Sequence, residues 1–145
     1  MPHRREQIMD AVVTAVTGLT TTGTNVFRGR AYPLGEAELP GLLVYMGGEE
    51  VVSEQTLDEM ICVMEVAVVP MVAVTADPDQ ALNLIAEEST VALAADYTLA
   101  LPGVVYRIEE IGADEPEIAG EGETIAAAQR LRWQITYRRN RTDPT

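Results

Sequence analysis

Apolar residues at helical spacing open the chain. Ile8, Ala11, Val12, Ala15, Val16 and Leu19 fall on one stripe, with Arg4, Arg5, Glu6 and Asp10 mostly off it, which predicts a helix over residues 3–18. Gly18, the three threonines at 20–22 and Gly23 end it. Residues 24–28 read as a short strand, and Pro33 and Pro40 bracket a connecting loop. Residues 41–46, Gly-Leu-Leu-Val-Tyr-Met, form a compact apolar strand. After Gly47 and Gly48 the pattern turns polar and acidic through Glu49 and Glu50. A little strand-like material at Val51 and Val52 interrupts it before it runs on to Thr56. Residues 57–75 give the longest strand. Met60, Cys62, Met64, Val66 and Val68 alternate with Ile61, Val63, Ala67 and Val69, so both faces are apolar and the strand should be buried on both sides. Pro70 within it marks a bulge or an edge of the pairing.

The second helix has explicit punctuation. Asp77 is a good N-cap, Pro78 suits the first helical position, and Gln80 stands at the capping-box position. Leu82, Ile85, Ser89 and Ala92 point inward, with Ala81 and Leu84 beside them, to about Ala95. Residues 104–111 form a strand, and a Gly- and acid-rich stretch follows to Glu123. The last strand, about 125–138, places Leu131, Trp133, Ile135 and Tyr137 on one face and Arg130, Arg132, Gln134, Thr136 and Arg138 on the other. The expected fold is α+β: a mainly antiparallel, or mixed, sheet of about five strands, two helices on one face, in the order α-β-β-β-α-β-β. The other face, with its arginines, is then either wet or an assembly surface. The 145 residues suit one domain, with 139–145 as a flexible tail.

Charge sharpens this picture. The net charge is −13, distributed as +2 over residues 1–35, −19 over 36–129 and +4 over 130–145. All ten basic residues are arginine, which favours planar, bidentate pairing. Such acidity argues against nucleic-acid binding as the main task and fits a surface that must not stick to DNA. The start of the chain lacks the apolar core of a signal peptide, and no run approaches a membrane span, so assembly in the cytoplasm is expected.

Candidate chemistry is thin. His3 is the single histidine and is expected in a frayed terminus; Cys62 is the single cysteine and reads as a small buried hydrophobe. A His-based triad, a Walker lysine, a disulfide framework and a cysteine zinc site all lack their residues. Gly120, Glu121, Gly122 and Glu123 only faintly resemble a dinucleotide fingerprint, since they precede a strand and their acids would repel a pyrophosphate. The adjacent acids Glu49/Glu50, Glu87/Glu88, Glu109/Glu110 and Asp114/Glu115 read as solvated surface. No catalytic residue, metal site or cofactor is expected. The separation of charge is the one suggestive constellation. Arg28, Arg30, Arg130, Arg132 and Arg138, facing acids such as Glu121 and Glu123, could form internal ion pairs or head-to-tail subunit contacts.

Residues 26–34 and 39–45, the 120–123 turn and the alternating strand 130–138, together with the two helices, resemble the tail terminator (tail completion) proteins of long-tailed bacteriophages, the lambda-type minor tail family. The resemblance spans nearly the whole chain and rests on length and element order more than on fixed residues. It implies a non-enzymatic virion protein at the head-proximal end of the tail. Such a protein forms a hexameric ring that caps the tail tube, stops its polymerisation and receives the head-completion (neck) protein, while DNA passes through without specific binding. On that reading Glu49, Glu50, Glu109 and Glu110 are candidates for the bore. The segment 47–56, carrying Gly47, Gly48, Glu49, Glu50, Ser53 and Glu54, is a candidate loop for contact with the tube, or else a plain hairpin turn. A head-closure or head-to-tail joining protein, and a small-ligand-binding α+β domain, are the alternatives.

Overall fold

The computed structural model describes residues 2–30, 34–54, 58–74, 77–119 and 125–145. Helix α1, Arg4–Val16, is followed by strand β1, Val26–Arg28, and a single 3-10 turn at Glu36–Glu38. Strands β2, Gly41–Glu54, and β3, Glu59–Ala73, form a long antiparallel hairpin. Helix α2, Pro78–Ala94, precedes β4, Val105–Ala113, β5, Glu117–Ala119, β6, Ala126–Ala128, and β7, Leu131–Asn140. Among the described residues these strands join one 7-stranded sheet. The β1/β2 pair is parallel and the others are antiparallel.

The α+β class and the helices on one face follow the sequence pattern; the strand count does not. Residues 125–138, expected as one strand, break at Gln129 and Arg130 into β6 and β7, and β5 adds a further short strand. The break lies where Pro70 sits in β3. Pairing of β3 with β7 ends at Val68 and resumes with β6 at Met71, so the residue without a backbone N–H falls where the neighbouring ladder changes strands.

The main core lies between the helices and the sheet. Ile8, Met9, Val12 and Val16 of α1 and Leu82, Ile85 and Leu93 of α2 pack on Val44, Cys62, Met64, Val66, Leu131, Trp133, Ile135 and Tyr137. Both helices begin with side-chain caps. Asp77 accepts a hydrogen bond from Gln80 N at 3.1 Å, as its position predicts. His3 Nδ1 accepts one from Arg5 N at 3.0 Å, so His3 caps α1 rather than fraying. The terminal segments meet: Arg4 N donates to Pro144 O at 2.7 Å, and Arg4 Nε donates to Thr145 O at 3.2 Å.

A smaller apolar cluster covers part of the far face. The crossover between β1 and β2 lays Leu34 and Leu39 over Leu43, Ala67, Val69 and Met71, with Phe27 and Tyr45 alongside. Residues 66–72 of β3 are therefore apolar on both faces because they lie between the helices and this crossover. The rest of the far face has no such cover among the described residues. It shows Glu65, Gln134, Thr136, Glu109 and Arg107, which share its side by register.

Candidate assembly interface

Gly47 and Gly48 open an arm rather than a loop. The segment expected as a polar tube-contact loop continues β2 to Glu54, paired with β3 down to Met60. Its register shifts at two points, between Met46 and Glu49 and between Val51 and Ser53. The first bulge needs glycine where the strands come close: a Cβ on Gly47 would lie 2.9 Å from Glu65 O. The bulge also restores Glu49 to the helix face, in the row of Met64 and Ile135.

There Glu49 meets a cluster that sequence alone does not assemble. Its Oε1 accepts hydrogen bonds from Tyr137 Oη at 2.7 Å and Arg139 Nε at 3.3 Å. Arg5 Nε lies 3.1 Å from Oε2, and the Glu49 side chain is only 12% exposed. Burial opposes ionisation of this carboxyl. Hydrogen bonds from Tyr137, Cys62 and Arg139 and the attraction of Arg5 outweigh it and hold the group below the usual carboxylate range. Burial pushes the Tyr137 hydroxyl up, and the Glu49 charge adds to this, so Tyr137 stays a neutral donor. The carboxylate ties α1, β2, β3 and β7 together and faces into its own subunit.

The arginines expected to meet neighbouring copies also have partners at home. Arg28 pairs with Glu6 and lies 3.2 Å from Asp10 on α1. Arg30 pairs with Glu38 and stands over the Phe27 ring. Arg132 Nε lies 3.2 Å from Asp114, and Arg138 Nε donates to Gly103 O at 2.6 Å, with Glu59 3.9 Å away. Arg130 stacks over Tyr45 at 5.8 Å. Arg28, Arg30, Arg132 and Arg138 thus each lie beside an acid of their own chain. Glu121 and Glu123 lie outside the described residues. Glu50 and Glu110 are exposed, and Glu109 is half-buried beside Arg107 at 3.4 Å.

The open edges of the sheet are what sequence reasoning missed. β1 covers β2 only at residues 42–44, so the outer side of the arm beyond them has no strand neighbour among the described residues. Met46 is 51%, Val51 49% and Val52 53% exposed along it. At the opposite end, among the described residues β4 pairs with β7 alone, and Tyr106 and Ile111 stand exposed on it. The signal was present at Val51 and Val52, strand-like in the sequence but not there joined to the strand at residues 41–46. A cleft between α1 and α2, lined by Ala11, Ala15, Ala92, Leu99 and Leu101 with Asp10 and Asp96 at its rim, is mostly apolar. Among the described residues no group of three or more His, Cys, Asp or Glu side chains is placed to hold a metal ion. No described helix is long and apolar enough to cross a membrane.

No family model matches the chain, and no curated protein does. Among solved structures, a chain from the virion of a native gene transfer agent particle matches 93% of this chain and 90% of its own length. The identity is 16% and the TM-score 0.44.

Proposed function

We propose that this chain is a structural subunit of a phage-type virion: a ring-forming tail terminator that caps the tail tube, halts its growth and presents a surface to a head-completion protein. The observation that carries this is the arm. A long hairpin with an open edge, bearing half-exposed Met46, Val51 and Val52, leaves apolar area and backbone polar groups for another protein to cover. The sequence resemblance supports the same reading. So does the acidity, since a ring that lets DNA slide through gains from repelling phosphates. Glu109, on the far face, is the acid we assign to the bore side; Glu110 stands in the row of Trp133 on the helix face, and Glu49 is an internal tie. Arg130, whose side chain lies over the Tyr45 ring and makes no ion pair among the described residues, is the interface arginine. The subunits form a closed ring, a hexamer on the family pattern, at the head-proximal end of the tail.

The distal end of the arm, with Val52, Ser53 and Glu54, makes the tube contact. Val52→Glu with Ser53→Glu should leave folding stability within about 1 kcal/mol, because exposed positions tolerate charge. The same variant should fail to cap purified tail tubes, which then keep elongating. Capping and tube length identical to wild type would contradict the assignment.

A further inference from the structure

The sheet offers a way for identical copies to meet. From one open edge to the other its long strands run β2, β3, β7, β4, each antiparallel to the next. With four strands alternating, the first and last run in opposite directions. A copy placed beside another therefore continues the alternation without inversion, β4 of one lying antiparallel to β2 of the next.

The register fixes what would meet. Glu50 pairs with Val63, Val63 with Thr136, and Thr136 with Arg107. One row on the far face thus begins with an exposed acid at one edge and ends with an arginine 63% exposed at the other. Side by side at the same height, Arg107 of one copy faces Glu50 of its neighbour. The home partner of Arg107, Glu109, is itself 43% exposed, so that pair is weak competition. Bulges interrupt both edges: Gly47/Gly48 and Val52 on β2, Tyr106 and Ile111 on β4. The regular windows between them, 49–51 and 107–110, overlap in height. The bulges thereby confine pairing to a short stretch in one register and discourage indiscriminate edge association.

We propose that copies of this chain join edge to edge, the 107–110 stretch of β4 pairing antiparallel with the 49–51 stretch of β2 in the next copy, with Arg107 on Glu50 across the junction. This rests on the ring reading above and names its contact. It places Glu50 at the subunit junction rather than free in the bore.

Sedimentation velocity on the full chain tests it with Glu50→Arg, Arg107→Glu and the double exchange. Each single variant sets like charges against each other at every junction and should self-associate at least about tenfold more weakly than wild type. The double exchange should regain wild-type assembly. The two single variants mixed one to one should also assemble, because their edges are complementary. Unchanged circular dichroism and melting temperature show that the variants fold. Wild-type assembly that all variants share overturns the edge contact and leaves the ring intact. A wild-type chain that stays monomeric at hundreds of micromolar removes both.

Discussion

At the scale of single residues, Glu49 carries the most internal structure. Its partners Tyr137 and Arg139 are 88 and 90 positions away, so nothing local in the sequence separates it from Glu50, its exposed neighbour. Glu49→Gln should cost about 2 kcal/mol at neutral pH by removing the charge that Arg5 and Arg139 face. Tyr137→Phe should cost about 1 kcal/mol, since it removes one donor and leaves the carboxylate its other partners. Urea unfolding measures both. The fold lowers the Glu49 pKa, so its contribution is complete above the unfolded value near 4.5 and is lost as pH falls through the folded value. Wild-type stability should therefore drop more steeply below about pH 4.5 than that of Glu49→Gln. Parallel acid profiles would contradict the role given to this carboxylate. A second local device holds the turn after α2. Leu99 and Ala100 adopt φ of 51° and 58°, and the Asp96 carboxylate accepts from Thr98 N, Thr98 Oγ1 and Ala100 N.

At the scale of elements, legibility followed periodicity. α2 could be read down to its cap because Asp77, Pro78 and Gln80 act within one turn. β3 could be read because one face is apolar without a break from Met60 to Val68 and only Glu65 interrupts the other. The arm was not legible. Two glycines and two acids read as a loop, whereas Gly47 is demanded by the approach of Glu65 O and the acids lie on opposite faces of a bulged strand. The break between β6 and β7 was equally hidden, because the proline answering it lies in another strand. Gly47→Ala should destabilise the protein by about 1–2 kcal/mol, since the new methyl must displace β3 backbone or undo the bulge. Hydrogen exchange should then speed up along the arm first, while α2 keeps its protection. Uniform loosening of both elements would argue that the bulge is not a local device.

At the scale of the whole molecule, the charge separation seen in the sequence has two destinations. Arg28, Arg30, Arg132 and Arg138 bind their own chain, and the acidic excess remains at the surface. What is left for neighbours is geometric: open edges at both ends of one sheet and a far face only partly covered by the β1–β2 crossover. Neither could be read from the sequence, because which strand lies at an edge depends on pairing order rather than on composition. The proposed function requires those surfaces to be covered by copies and by a tube end. Electron microscopy of the purified chain mixed with growing tail tubes tests this most directly. Closed rings seated on one end of each tube, with no elongation past them, are expected; single molecules beside tubes that keep lengthening would contradict the proposed function.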